Sequence, residues 1–208
     1  MKYALLIATC TALSLGAPLA HAAGDVAKGK AAFTVCEACH GKNAEGNKVL
    51  GAPHLAGMPD WYLVRQLANF KSGLRGADPK DTFGTQMRPM AQTLADDAAV
   101  ANVVAYIGSL TAPAPETTVK GDAAAGKTAY ATCAACHGAN GEGNQALNAP
   151  KLSGQHDWYL ARQLQNFKSG LRGADAKDTF GAQMRPMAAT LADDAAINNV
   201  VTYIATLK

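Results

Sequence analysis

Apolar residues recur at helical spacing along much of this 208-residue chain. Leu63, Leu67 and Phe70 are separated by three or four residues, an interval that places them on one face of an α-helix. No segment alternates apolar and polar residues as a half-buried strand does. We therefore predict an all-α fold. A further apolar helix face consists of Val100, Val103, Val104 and Ile107.

Aspartates mark the predicted starts of the helices. Asp25, Asp60 and Asp96 each precede a helical stretch, where a short acidic side chain can accept hydrogen bonds from the first backbone N–H groups. The second of these helices is predicted to end at Ser72-Gly73, because glycine favours the conformation that follows a helix. Later in the chain the same positions are held by Asp122, Asp157 and Asp193.

The second half of the chain repeats the first. Residues 61–107 align without a gap with residues 158–204, at an offset of 97 residues, and 39 of the 47 pairs are identical. A repeat of this length indicates a duplicated domain rather than a solenoid unit. Residues 111–120 contain prolines and lack apolar periodicity, which predicts an extended linker. The predicted domains are therefore residues 23–110 and 121–208.

Residues 1–22 have the pattern of a secretory signal peptide. Lys2 provides the positive start, residues 4–19 are mostly apolar, and Ala20-His21-Ala22 is a typical cleavage site. Cys10 lies in the apolar stretch and would be removed with it. No other segment approaches the roughly 18 consecutive apolar residues of a transmembrane helix. We expect the mature protein to be exported to the periplasm.

Each domain contains one Cys-x-x-Cys-His motif, which is the attachment signature of c-type haem. Two thiols three residues apart lie on one helical turn, where each can add across a haem vinyl group, and the histidine that follows can bind the iron. We therefore predict two covalently attached haem c groups. The motifs comprise Cys36, Cys39 and His40 in the first domain and Cys133, Cys136 and His137 in the second.

Two other interpretations of these cysteines are less favourable. A redox-active dithiol does not require a histidine after the second cysteine. A four-cysteine zinc site would have to unite motifs 97 residues apart and would leave both histidines unexplained. The formal net charge is only +3, and when residues 23–208 are divided near Thr111 each half has nine basic and eight acidic residues, so we expect no nucleic-acid partner.

The repeat also discriminates between candidates for the sixth iron ligand. If both domains bind haem alike, the ligand should recur at the 97-residue offset, and methionines do so whereas His54 and His156 do not. We interpret those two histidines as surface loop residues. The methionines lie in Gln-Met-Arg-Pro-Met segments that we expect to form polar loops, with proline holding the local backbone extended. Spacing alone leaves the choice within each pair open: Met87 or Met90, and Met184 or Met187.

The chain resembles the class I c-type cytochromes, and most closely the di-haem cytochrome c4 group. The resemblance rests on both Cys-x-x-Cys-His-Gly motifs, both Met-x-x-Met-Ala segments and the closing helices that carry Tyr106 and Tyr203. It covers essentially the whole chain after the signal peptide. The Trp-Tyr pairs at residues 61–62 and 158–159 and the Arg-Gly-Ala-Asp segments at 75–78 and 172–175 look more like di-haem domains attached to terminal oxidases.

The resemblance implies specific roles for several residues. In that group the second methionine of each pair is the iron ligand, which implies Met90 and Met187. It implies that Pro53 and Pro150 accept the hydrogen bond of the proximal histidine ring and so orient it. It further implies that the first and last helices of each domain cross, with one aromatic contact at each crossing: Phe33 with Tyr106, and Tyr130 with Tyr203.

Ligation by histidine and methionine decides the predicted function. An iron with both axial positions occupied has no place for oxygen, peroxide or an organic substrate, and the soft thioether favours Fe(II) and a relatively high potential. We therefore expect an electron carrier, not an enzyme, between a quinol:cytochrome c oxidoreductase and a terminal oxidase or other reductase. Peripheral association with a membrane stays open.

Two alternatives to a free carrier remain. The chain could be the electron-transfer subunit of a dehydrogenase or oxidase complex, which would purify with a catalytic subunit. A di-haem enzyme, such as a peroxidase or a thiosulfate dehydrogenase, is a weaker alternative because it requires an open or low-potential haem or a cysteine ligand.

Overall fold

The computed structural model describes residues 24–207, and the predicted signal peptide lies outside this range. Within the described residues each domain is built from four α-helices, and the β-structure consists of one isolated bridge per domain. The all-α prediction is confirmed. The first domain contains α1 (Val26–His40), α2 (Asp60–Ser72), α3 (Thr82–Gln92) and α4 (Asp97–Gly108). The second contains α5 (Ala123–His137), α6 (Asp157–Ser169), α7 (Thr179–Ala189) and α8 (Asp194–Ile204).

Four of the six predicted aspartate caps are confirmed. The Asp25 carboxylate accepts hydrogen bonds from the backbone N–H groups of Ala27 and Lys28, and the Asp96 carboxylate accepts one from Ala99. Asp122 and Asp193 do the same in the second domain. The other two predictions were wrong. Asp60 and Asp157 are the first residues of α2 and α6, and the N-cap positions belong to Pro59 and His156.

The expectation that the paired methionines lie in loops was wrong. They lie on α3 and α7, each of which contains a proline, and the Asp81 and Asp178 carboxylates cap these helices. Proline lacks an N–H and disfavours a helix interior. In α3, however, Gly84 and Ala91 are buried near the two ends of the helix, and their packing holds this short helix in place. The cap and the helical spacing of those residues were the signals that predict this helix.

The first and last helices of each domain cross closely, as the resemblance implied. The ring centroids of Phe33 and Tyr106 are 5.4 Å apart, and those of Tyr130 and Tyr203 are also 5.4 Å apart. Phe33 is 1 % exposed, so this contact lies in the centre of the first core. The crossing positions the Cys-x-x-Cys-His motif, because that motif forms the last turn of α1 and of α5.

The two domains pack against each other with pseudo-twofold symmetry. Arg65 of α2 donates two hydrogen bonds to Asn148 of the other domain, at 2.9 Å each, and its counterpart Arg162 donates one to the carbonyl of Gly51. The guanidinium groups of Arg65 and Arg162 also lie over Phe180 and Phe83, respectively, across the interface. Residues offset by 97 thus exchange roles, which is the pattern of a self-complementary interface.

The linker is attached to the second domain through Asp157, which is 1 % exposed. Its carboxylate accepts hydrogen bonds from the backbone N–H groups of Thr118 and Val119 and from the Thr118 hydroxyl. Burial by itself raises the pKa of Asp157, but these hydrogen bonds outweigh it and leave the pKa below its ordinary value. Asp60, the equivalent residue of the first domain, is exposed.

We expect Asp157→Asn to destabilise the second domain by roughly 1.5–3 kcal/mol at neutral pH, the usual contribution of hydrogen bonds to a buried charge. Because the folded pKa is depressed, the contribution is complete above the unfolded pKa of about 3.9 and is lost as the pH falls through the folded pKa. Denaturant unfolding of both proteins at several pH values measures this difference. Asp60→Asn is the matched control and should change stability little. A difference that persists at strongly acidic pH would contradict the assignment.

Candidate haem sites

Both histidines that are predicted to be the proximal ligands are buried, and each is oriented by a backbone carbonyl. His40 and His137 are each 5 % exposed. The Nδ1 atom of His40 lies 3.0 Å from the carbonyl oxygen of Pro53, and that of His137 lies 2.8 Å from the carbonyl oxygen of Pro150. A carbonyl oxygen can only accept, so Nδ1 carries the proton in each ring and Nε2 carries the lone pair. The rings therefore have the tautomer that an iron ligand needs.

Electrostatics favour the neutral form of these rings. Burial lowers the pKa of His40 and of His137, although the hydrogen bond to the proline carbonyl acts in the opposite direction. Neutral imidazole at physiological pH keeps its lone pair available for a metal.

The two cysteines of each motif differ in exposure, and the difference is the same in both domains: Cys36 and Cys133 are half-buried, whereas Cys39 and Cys136 are exposed.

The predicted haem-binding residues line one continuous cavity that extends through both domains and across their interface. Both cysteine motifs and both prolines border it, and apolar residues such as Leu63, Phe70, Leu160 and Phe167 form much of its remaining wall. An apolar cavity with two thiols at its edge and a buried neutral imidazole fits a covalently held haem. The residues present therefore fit the two haem groups that the sequence implies.

All four candidate methionines border this cavity. Met87 and Met90 are three residues apart on α3 and so share one face of that helix, and both line the cavity. Met184 and Met187 occupy the same positions on α7. Helical geometry thus brings each pair to the haem site without distinguishing its two members.

The two histidines that the repeat excluded as ligands are not surface residues, contrary to our expectation. His54 is 6 % exposed, and its ring centroid lies 6.0 Å from that of His156 across the domain interface. His156 stacks on Trp158 and places its Nε2 atom 2.8 Å from the Glu45 carbonyl oxygen. The two residues occupy loops that the packing of the domains covers, which local sequence could not reveal.

A polar cluster at the interface was also missed. Arg75 donates to Tyr159 and Gln163 of the second domain at 2.9 Å each, and Arg172 donates to Gln66 of the first at 2.9 Å. The signal was present in the sequence as a polar stripe on α2 that α6 repeats. That stripe consists of Tyr62, Arg65, Gln66 and Asn69, and of Tyr159, Arg162, Gln163 and Asn166. The Trp-Tyr and Arg-Gly-Ala-Asp segments supply part of this interface.

Among the described helices, none is both long enough and apolar enough to cross a membrane. The fold and the two haem sites define a di-haem c-type cytochrome.

Comparison with known proteins agrees with this class and narrows it. The cytochrome c family model matches residues 26–111 and again 123–208. Cytochrome c4 of Azotobacter vinelandii is 37 % identical over 196 residues, covering 88 % of this chain and 90 % of the relative. The crystal structure of reduced recombinant cytochrome c4 from Pseudomonas stutzeri superposes with a TM-score of 0.70 at 32 % identity, covering 89 % of this chain and all of that one.

A second group of relatives has a more specific name. The thiosulfate dehydrogenase electron acceptor of Stutzerimonas stutzeri strain A1501 is 34 % identical over 167 residues, covering 75 % of this chain and 73 % of the relative.

The chain belongs to the cytochrome c family and, within it, to the cytochrome c4 group. It is a di-haem electron-transfer protein with two covalently attached haem c groups and is not an enzyme.

Proposed function

We propose that this protein carries electrons in the periplasm from a quinol:cytochrome c oxidoreductase to a terminal oxidase. The supporting observation is the pair of buried histidine rings, each held by a proline carbonyl and each sharing an apolar cavity with methionines. A site closed on both sides of the iron suits electron transfer, because it excludes oxygen and organic substrates. Export follows from the proposed signal peptide, residues 1–22, ahead of domains at residues 23–110 and 121–208.

The residues of the proposed site have four different roles, and equivalent residues of the two domains share a role. Cys36, Cys39, Cys133 and Cys136 form the thioether links, and His40 and His137 are the proximal ligands. Bound haem supplies an iron that alternates between Fe(II) and Fe(III). The carbonyls of Pro53 and Pro150 hold the imidazoles at a fixed angle and make them more electron-rich. Met90 and Met187 are the sixth ligands, an assignment taken from the cytochrome c4 group.

The near-identity of the two domains supports similar haem potentials. The interface contacts of α2 and α6 repeat at the 97-residue offset, so the two sites have closely similar surroundings. The symmetry is incomplete, because Gln155 bonds to the backbone of His54, whereas the matching positions hold Met58 and Lys151. We therefore propose similar but unequal potentials and rapid exchange of electrons between the haems.

Stopped-flow oxidation of the reduced protein by membranes of the same cell tests the proposed acceptor. We expect fast oxidation of both haems that an inhibitor of the terminal oxidase abolishes. Oxidation at the same rate with and without the inhibitor would contradict the proposal. Reduction of the oxidised protein by quinol and membranes tests the proposed donor in the same way.

A second candidate is the role of electron acceptor for a thiosulfate-oxidising enzyme. The relative of that name from Stutzerimonas stutzeri supports it. Reduction of the oxidised protein by thiosulfate and a thiosulfate dehydrogenase would establish this role. Co-purification with a catalytic subunit would instead identify the chain as a subunit of a dehydrogenase or oxidase complex.

A further inference from the structure

The two domains differ in a group of exposed apolar residues next to the first Cys-x-x-Cys-His motif. Val49 is 89 % exposed, and Val35 and Leu50 are 49 % and 44 % exposed. Single apolar residues are common on protein surfaces, but a group of them beside a functional site is a feature of interaction surfaces. Of the three, only the leucine recurs in the second domain, where the matching residues are Thr132, Ala146 and Leu147. The difference therefore belongs to the first domain and not to the repeated fold.

The turn that carries Val49, residues 47–52, is held rigidly beside His40. Its first and last residues exchange backbone hydrogen bonds of 2.8 and 2.9 Å. On one side of this turn, the N–H of Gly46 donates to the carbonyl oxygen of His40 at 2.7 Å, and on the other side the Pro53 carbonyl accepts the hydrogen bond of the His40 ring. We call residues 47–52 the Val49 turn. Because its backbone is already fixed, the turn would lose little conformational entropy when a partner docks.

Val49 lies outside the cavity that the predicted haem ligands border. Val35 and Leu50 line that cavity, whereas Val49 does not. Val35 also directly precedes Cys36 in the chain. A haem in the cavity would therefore leave Val49 uncovered. A protein in contact with Val49 would lie at the edge of the first haem site, which is the close approach that electron transfer requires.

Two lysines of the first domain add positive charge near the Val49 turn. Lys48 belongs to the turn, Lys42 follows the motif by two residues, and both are exposed. Across the part of the chain that the structure describes, neither lysine has a carboxylate within 4.0 Å, so both are free to pair with acidic groups of another molecule. Glu37, on α1, offsets part of this charge. The matching residues of the second domain are all uncharged: Gln145, Ala139 and Ala134.

We propose that the Val49 turn, together with Val35 and Lys42, is the docking surface for a redox protein that presents carboxylates around an apolar contact area. The inference rests on the proposed role as an electron carrier and adds that the partner engages the first domain. Each encounter passes one electron between the first haem and the partner, and the second haem exchanges electrons with the first.

A lipid surface fits these residues less well than a protein does. Segments that bind anionic lipid carry clusters of roughly four to eight basic residues, and an interfacial helix presents a long apolar face. Here two lysines and three apolar residues lie on and near one turn beside a haem site. A small apolar centre with a polar rim is the usual composition of a protein interface, and charges at the rim raise the rate of association.

Lys48→Gln and Val49→Ala each give the turn one residue of the second domain, and they test the proposal in the di-haem holoprotein. We expect each reduced variant to be oxidised by membranes of the same cell with a second-order rate constant about fivefold below that of the parent protein, as for loss of a modest interface contact. High salt should abolish the deficit of Lys48→Gln, because it screens charge, and should leave that of Val49→Ala. Stopped-flow absorbance over a range of protein concentrations measures both effects.

Two further variants are matched controls. Lys127→Gln removes the same charge from an exposed position on α5, and Val26→Ala removes the same apolar atoms from the opposite end of α1, where Val26 is 46 % exposed. Membranes should oxidise both controls at the rate of the parent protein. In all four variants the haem content, the midpoint potentials and the rate of oxidation by a small uncharged quinone should be unchanged, which excludes damage to the haem site.

Unchanged rate constants in both turn variants would overturn the inference, and so would equal slowing of their oxidation by the small quinone. If the parent protein binds vesicles of anionic phospholipid and Val49→Ala does not, the turn binds lipid and the inference is wrong. The oxidase inhibitor tests the proposed acceptor separately. Oxidation of the parent protein that ignores the inhibitor contradicts that acceptor, whereas slower oxidation of the turn variants still supports docking at the first domain.

Discussion

Met90→His is expected to lower the midpoint potential of one haem and to leave the other nearly unchanged. Imidazole donates more strongly than a thioether and stabilises Fe(III), whereas methionine favours Fe(II). Axial ligands vary haem potentials over roughly 0.8 V, so a fall on the order of a few tenths of a volt is reasonable. Potentiometric titration of the di-haem protein measures it, and Met187→His should do the same for the second haem.

Met87→Leu is the matched control for this assignment. Met87 lies on the same face of α3 and borders the same cavity, so it is the alternative ligand within this pair. If Met90 binds the iron, a leucine at position 87 should leave both potentials and both Fe(III)–Met charge-transfer bands in place. Loss of one band in Met87→Leu would reverse the assignment.

Gly29→Ala is expected to destabilise the first domain by at least about 3 kcal/mol, at the upper end of the penalty for overpacking. Gly29 lies where α1 crosses α4, and an added Cβ would be only 1.9 Å from the backbone oxygen of Asn102. The helices would have to separate, which would disturb the Phe33–Tyr106 contact and the motif at the end of α1. Thermal unfolding and the haem content of the first domain measure the effect.

Gly108→Ala provides the control for this prediction. Gly108 ends α4, nothing lies within 4 Å of a Cβ added there, and the second domain has Ala205 at the matching position. This substitution should be neutral or stabilising by up to about 1 kcal/mol, because alanine favours a helix over glycine. Equal destabilisation by both substitutions would mean that the crossing at Gly29 is not the cause.

The haem chemistry was predictable because its determinants are local. Two cysteines and a histidine on one helical turn bring their functional atoms together whatever the rest of the fold does. The duplication then selected methionine over histidine without any structural information, since His54 has Lys151 and His156 has Pro59 at the matching position. The expectation that Met87 and Met90 lie in a loop was wrong because it relied on the helix-breaking tendency of the intervening proline. The Asp81 cap and the helical spacing of Gly84 and Ala91 favour the helix that the structure contains.

The interface was hidden from the sequence for a different reason. Arg75 finds Tyr159 and Gln163 more than 80 residues away, and no local pattern specifies such a pairing. A polar stripe on α2 predicts exposure to solvent if the helix is considered alone. It becomes a buried network only when the same stripe of the second domain covers it.

The sequence by itself thus determined two helical domains, two haems and an electron-transfer function, because these follow from residues on single helical turns and from one internal repeat. Only the tertiary structure decided that the domains face each other through a nearly symmetric polar interface and that His54 and the two Arg-Gly-Ala-Asp arginines are buried within it. The physical reason is that burial and charge pairing at this interface depend on distant segments. Their approach is fixed by the packing of the whole chain and not by any local preference.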